Sequence, residues 1–324
     1  MREARPSDGL LAAVARVVTA ARRSVVLASL VLALGALGCG AGDPASPIEA
    51  EQSAQAAQRI VSINPSLTAI LLALGAGETI VGVDEFSAVQ QPAVADRPRV
   101  GGLFNPSLEA VAALQPDAVV VVPSVEQRDF VARLREMGVR VVVCENIELG
   151  QVLANIAELG ALTGRSEVAA SRIRAIERAR DTARSLTGES PRRRALMVLQ
   201  REPVFVVGSG GFIDELLEVA GADNLAASFG EPYPQVAMEW LVDVGPEVLI
   251  DMSDEPGDPL DYWRRWPAIP AVASGRVLHL EPATVTLPGP HLDVAIAELV
   301  AALHGPEAAE ALRLALAAAD ESEG

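Results

Sequence analysis

Short apolar runs without polar alternation recur along the chain, each followed by a stretch with helical spacing. Arg59 to Ile63, Ile80 to Val83, Ala118 to Val122 and Arg140 to Val143 are β-branched runs, and runs apolar on both faces predict strands of a parallel sheet covered by helices. Between them Leu108 to Leu114, Val125 to Met137 and Leu149 to Leu162 read as helices. Asn64-Pro65 supplies an N-cap and a first-turn proline for a helix through Leu74, and Gly75-Ala76-Gly77 stops it. Glu167 to Leu186 predicts one long helix, with Ala169, Ile173, Ile176, Ala183 and Leu186 on one stripe and Arg172, Arg174, Arg178, Arg180 and Arg184 on the others. A charged helix of that length suits a bridge between two bodies. Beyond it the alternation resumes, with strands at Ala195 to Leu199, Val204 to Val207, Val248 to Asp251 and Val277 to Leu280, and helices at Phe212 to Ala220 and Leu292 to Leu303.

The second half repeats the first. Ser107-Leu108-Glu109 through Gln115-Pro116-Asp117 before one strand matches Ala237-Met238-Glu239 through Gly245-Pro246-Glu247 before another, at a constant offset of 130 residues. Leu74-Gly75-Ala76 likewise matches Ala220-Gly221-Ala222 at an offset of 146. Two like lobes follow, so the expected fold class is α/β, with two Rossmann-like lobes of parallel sheet joined by a single long helix. The expected division is 59–164 for the first lobe, 165–188 for the linking helix, 189–305 for the second lobe and 306–324 for a helical tail. Lobes of this kind take ligands in the crevice beyond the carboxyl ends of their strands.

Charge and cysteine content narrow the function. The 324 residues include 26 arginines and no lysine against 43 acids, and the net charge of −17 excludes nucleic acid as an expected partner. Cys39 and Cys144 are the only cysteines, which leaves no disulfide framework and no paired-thiolate metal site. Met1 to Arg23 carries five arginines, and Ser24 to Gly38 is uncharged over 15 residues, shorter than the roughly 20 a spanning helix needs. Residues 1–38 therefore read as a secretion signal, and 39–58, rich in Gly, Pro, Ala, Ser and Gln, as a flexible tether. Ala36-Leu37-Gly38-Cys39 resembles a bacterial lipobox, which implies a lipid on Cys39 and a membrane anchor. Arg22-Arg23 weakly resembles a twin-arginine export signal.

Candidate chemistry points to binding, with no catalytic or metal-ligating set. The Gly208-Ser209-Gly210-Gly211 turn lacks the spacing of a nucleophile elbow, the lysine of a P-loop and the third glycine of a dinucleotide fingerprint. A hydrolase or metalloenzyme built on this turn is the weaker alternative; a helix N-terminus offering amides to a polar ligand group is the better one. His279, His291 and His304 are too dispersed for a metal motif, and only His291 lies in a loop able to reach ligand. Phe86, Phe104, Phe212 and Tyr233, four of only eleven aromatic residues, fall after strands where a cleft would lie, which favours a large flat or macrocyclic ligand. Arg201 is the only basic residue expected at the cleft, too few for a highly anionic ferric catecholate. Haem would need an axial ligand such as Tyr233 or His291.

Arg59-Ile-Val-Ser-Ile-Asn-Pro-Ser66, Gly101-Gly-Leu-Phe-Asn-Pro-Ser-Leu-Glu109, Tyr233-Pro-Gln-Val236 with Glu239, and Leu287-Pro-Gly-Pro-His291 together resemble the iron-siderophore and vitamin B12 periplasmic binding protein family, over Arg59 to Leu303. The resemblance implies a monomeric, extracytoplasmic substrate-binding component of an ABC importer, without enzymatic activity or resident cofactor. The expected ligand contacts are Asn64, Pro65, Phe86, Phe104, Arg201, Ser209, Phe212, Tyr233 and His291. In that family one glutamate on each lobe docks against arginines of the permease, and these match Glu109 and Glu239. Two carboxylates near the starts of equivalent helices fit such charge-assisted contacts. The family's haem binders commonly offer a tyrosine around Gly101 to Phe104, absent here, and arginines commonly stand where Leu287 and His291 do. A corrinoid is the first choice of ligand, with a ferric siderophore or haem as the alternative. The stiffness of the linking helix predicts modest closure of the lobes.

Overall fold

The computed structural model describes residues 56–125, 127–188 and 190–323. The secretion signal, Cys39 and nearly all of the tether lie outside these residues.

Strand β1 (Ile60–Ile63) opens the first lobe and is buried throughout. It is followed by α1 (Pro65–Ala73), β2 (Ile80–Val83), α2 (Glu85–Gln90), α3 (Leu108–Ala113), β3 (Ala118–Val121), α4 (Arg128–Glu136), β4 (Arg140–Val143) and α5 (Leu149–Leu162). The strands form a parallel four-stranded sheet in the order β2-β1-β3-β4. Successive side chains on a strand point to opposite faces, and here each face has its own core. Ile60, Ala118 and Val120 pack with Leu67, Ile70 and Ile156, whereas Val61, Ile63, Val119 and Val121 pack with Val111, Phe130 and Leu134.

The long helix α6 (Ser166–Thr187) leads to β5 (Arg193–Arg201), β6 (Val204–Val206), α7 (Phe212–Val219), β7 (Ala222–Asn224), α8 (Met238–Val244), β8 (Val248–Asp251), α9 (Pro259–Trp263), α10 (Pro270–Ala273), β9 (Val277–Leu278), α11 (Pro282–Val285), α12 (Leu292–His304) and α13 (Pro306–Glu323). Strands β7, β8 and β9 run parallel to their neighbours, so β7-β5-β8-β9 reproduces the first sheet's order β2-β1-β3-β4. Strand β6 departs from the expected parallel alternation. It pairs antiparallel with the end of β5, because the two residues Glu202 and Pro203 are enough for a hairpin and far too few for a crossover.

The 130-residue repeat is an architectural repeat, since β3 and β8 are the third strands of their sheets and α3 and α8 precede them. The lobes also share a core. Met197, Leu199, Val248 and Ile250 of the second sheet belong to the same buried cluster as Ile60 and Val120 of the first, joined through Ile176, Ala179 and Ala183 of α6 and Leu299 of α12. The outer face of the second sheet has its own core around Leu196, Val198, Leu249 and the fully buried Trp263.

Candidate functional site

In the first lobe the carboxyl ends of β1 and β2 are tied together beneath the surface. Asn64 N-caps α1, its Oδ1 accepting from the Ser66 amide at 2.9 Å and the Ser66 hydroxyl at 2.7 Å, with Pro65 as the first helical residue. Asp84 N-caps α2, its Oδ1 accepting from the amides of Phe86 at 2.9 Å and Ser87 at 3.0 Å. Its other oxygen accepts from the Ser87 hydroxyl. Ser87 Oγ lies 2.9 Å from Thr68 Oγ1, which donates to Ser62 Oγ at 2.8 Å. This buried chain links β1, α1 and α2, so the loop bearing Asn64 and the helix turn bearing Phe86 are positioned as one unit. Burial pushes the Asp84 carboxyl above its usual range, against the pull of its hydrogen bonds from Ser87 and Phe86. The Glu85 amide donates to Gly101 O at 3.0 Å, which ties the loop bearing the half-buried Phe104 to the start of α2, where Phe86 is half-buried as well.

The loop after β4 carries this wall across to the other lobe. Asn146 Nδ2 donates to Ser66 Oγ at 3.3 Å. One residue on, Ile147 O accepts from the Phe212 amide at 2.7 Å. Two residues further, the Leu149 amide donates to Glu215 Oε1 at 3.1 Å. Leu149 and Phe212 are the first residues of α5 and α7, so each helix gives its first amide to an acceptor in the opposite lobe.

The second wall starts from α7. Gly208 packs so tightly that a Cβ would lie 2.0 Å from Glu231 O, and Asn224 Nδ2 donates both to Gly208 O at 2.9 Å and to Asp214 Oδ1 at 2.8 Å. The Ser209 amide donates to Glu231 O at 3.0 Å. That amide is thus occupied, and the half-exposed side chain of Ser209 is what the turn presents. Pro232 approaches the Gly211 Cβ position to 3.3 Å, and Tyr233 follows with its ring packed against the shared core. Burial pushes the Tyr233 phenol up to about 12.

The contacts running from Asn64 through Ser66, Asn146, Ile147, Phe212 and Pro232 to Tyr233 form one interlobe junction, with Ser209 on the adjoining turn and Phe86 on the helix tied to the Asn64 loop. Two of the expected ligand residues do not face it. Phe212 is only 2% exposed and is a core residue; its backbone, not its ring, serves the junction. Arg201 is 4% exposed, its Nε donating to Asp251 Oδ2 at 2.8 Å and its Nη1 to Glu255 Oε2 at 3.1 Å, while the guanidinium lies 4.5 Å from the Tyr262 ring. It therefore braces the β5–β6 hairpin against α9 and is not a cleft cation. His291 is exposed at the start of α12.

Residues 60–284 match the periplasmic binding protein family. The chain belongs to this family. A vitamin B12-binding protein of Vibrio parahaemolyticus is 26% identical over 253 residues, 75% of this chain and 88% of the relative. An uncharacterized ABC transporter substrate-binding lipoprotein of Bacillus subtilis is 24% identical over 254 residues, 76% of this chain and 80% of the relative. The crystal structure of a periplasmic heme-binding protein from Pseudomonas aeruginosa superposes with a TM-score of 0.63 at 27% identity, covering 77% of this chain and 94% of that one. This periplasmic binding protein, like its relatives, binds rather than catalyses.

Glu109 and Glu239 are exposed and occupy the same place, the second residue of α3 and of α8. Both helices run back from the carboxyl edge of their sheet toward the amino edge, where the next strand begins, so both acids lie on the cleft side of their lobes. Asp84, Asn146, Ile147 and Glu215 were not among the residues expected at the site. Ile147 is 50% exposed at the junction, an apolar side chain beside the crevice. The Asp84-to-Ser87 spacing is a capping signal that identifies α2; nothing local distinguishes Glu215 from an ordinary first-turn acid.

Proposed function

We propose that this chain is the extracytoplasmic substrate-binding protein of an ABC importer, lipid-anchored through Cys39, which captures a corrinoid between its lobes and delivers it to the permease through Glu109 and Glu239. The observation that carries the choice of ligand is the character of the walls. Half-buried aromatic rings (Phe86 and Phe104 on one side, Tyr233 on the other) border a junction where the one expected cation, Arg201, is already held by two carboxylates. Such walls fit a large ligand close to neutral and offer little to a polyanionic ferric catecholate. Asn64, Ser209 and His291 add the few polar groups that orient a ligand in an otherwise apolar site.

Haem is the second reading, favoured by the exposed His291 and by the heme-binding structural relative. Calorimetric titration of the purified protein with cyanocobalamin, haemin and ferric siderophores tests the proposal. Reversible one-to-one binding of cyanocobalamin without product formation is expected. Binding of haemin or a ferric chelate with no response to cyanocobalamin overturns the choice of corrinoid.

A further inference from the structure

The reciprocal amide contacts between α5 and α7 are the polar ties between the lobes at the base of the crevice. Their partners are unequal. Phe212 donates to a backbone carbonyl, Ile147 O, in an arrangement any sequence can make. Leu149 instead donates to a side-chain carboxylate, Glu215 Oε1, which reaches across from the first turn of α7. Glu215 is half-buried, and its charge faces the amino end of the 14-residue helix α5. A carboxylate there gains both a charge-assisted hydrogen bond and the helix dipole.

Helix α5 already has a local cap. Gln151 Oε1 accepts from the amides of Ile147 at 2.8 Å and Glu148 at 3.0 Å. The Glu148 side chain accepts from the Gln151 amide in return, but neither capping residue takes the Leu149 amide, which Glu215 serves from the other lobe. The same loop is tied through Asn146 to Ser66, beside Asn64, and α7 is tied through Asp214 and Asn224 to the Gly208 turn beside Ser209. The Leu149–Glu215 contact thus joins an element of one wall directly to an element of the other.

We infer that Glu215 is a positioning residue for ligand binding: its carboxylate, clamped on the amino end of α5, sets the spacing of the lobes and through it the affinity of the crevice. The inference rests on the proposed interlobe ligand site. A residue acting only as a helix cap would protect Leu149 alone, whereas a residue holding the lobes together also protects Phe212, whose acceptor is Ile147 and not Glu215.

Hydrogen exchange and cyanocobalamin titration of the full chain, comparing wild type, Glu215→Ala and Glu215→Gln, separate these roles. In Glu215→Ala both the Leu149 and the Phe212 amides are expected to exchange about tenfold faster or more, the scale of losing a hydrogen bond to a charged group, with cyanocobalamin affinity reduced about tenfold. Amides of β3 and β8 report that the sheets remain intact. Glu215→Gln, which keeps an acceptor oxygen but loses the charge, is expected to fall between wild type and Glu215→Ala in both readouts. Faster exchange at Leu149 with Phe212 unchanged overturns the inference, and so does unchanged affinity when both amides are deprotected. If the wild type ignores cyanocobalamin, it is the choice of corrinoid that fails; the exchange comparison still decides the spacing role, and the affinity arm is run with haemin or the ferric siderophore that does bind.

Discussion

Arg194 clasps the end of α8 as Arg59 clasps the end of α3. Arg59 Nη2 donates to Leu114 O and Arg194 Nη2 to Val244 O, each at 2.6 Å. The backbones repeat the relationship, with Asp117 N to Arg59 O at 2.8 Å and Glu247 N to Arg194 O at 2.9 Å. The two acceptor carbonyls are 130 residues apart, the same offset that relates Glu109 to Glu239. The arginines hold equivalent helices at equivalent heights on their sheets, which is why the two acids occupy equivalent positions.

Removing either clasp leaves helix-terminal carbonyls without their side-chain donor. Arg59→Ala and Arg194→Ala are each expected to lower stability by about 1 kcal/mol, the ordinary net value of such bonds. Urea unfolding checks this, and unchanged midpoints in both variants would remove the clasps from the account.

The acids themselves are exposed and contribute to no wall of the crevice. Glu109→Ala combined with Glu239→Ala is expected to leave cyanocobalamin affinity unchanged and to abolish uptake in a transport assay. Full uptake by the double variant would refute the docking role.

Tyr233 separates the two ligand readings. Its hydroxyl has no hydrogen-bond partner among the described residues, so Tyr233→Phe is expected to change corrinoid affinity less than about threefold, while Tyr233→Ala, losing the ring, weakens it about tenfold or more. Were the protein a haem binder using this phenol, Tyr233→Phe would instead abolish the tyrosinate–iron absorption band.

Asp84 links the first wall to pH. Its carboxyl is raised on folding, chiefly by burial. A raised acid favours the folded state most where both states are protonated, below the unfolded value of about 3.9, and that advantage is lost as pH climbs through the raised value. From about pH 4 upward, until the pH has passed the raised value, the stability contributed by this group therefore falls. Asp84→Asn cannot titrate, so denaturant unfolding across this window is expected to show a smaller fall in the variant; an equal fall would mean that Asp84 does not contribute.

The lobes and the linking helix were readable because their signals are local and long. Asn64-Pro65 announces α1, the arginine-flanked apolar stripe announces α6, and Ile80 to Val83 is apolar enough to be a buried strand without reference to its neighbours. Helices α2, α9, α10 and α11 were not anticipated, since four to six residues are too few to display a period of 3.6. Strand β6 misled for a different reason: its residues read correctly as a strand, and only the length of the Glu202-Pro203 connection fixes its direction. Arg201 looked like a cleft cation because its partner, Asp251, lies fifty residues away at the end of a neighbouring strand. Phe212 looked like a ligand contact because its burial is set by the core shared between the lobes. The junction formed by Ile147, Leu149, Phe212 and Glu215 is wholly tertiary, and no spacing within the chain encodes it.

The way the chain enters the first lobe gives the molecule a direction. The amides of Gln58 and Arg59 are both gripped by Asp117 Oδ2 at 2.9 Å, and the Ala57 amide donates to Leu162 O at 2.8 Å. These anchor points sit at the amino ends of β1 and β3, whereas the crevice opens at the opposite edge. Were the protein held through Cys39 as proposed, the pull would reach the lobe on the side opposite the crevice. In that arrangement the crevice, with Glu109 and Glu239 beside it, would face away from the point of attachment.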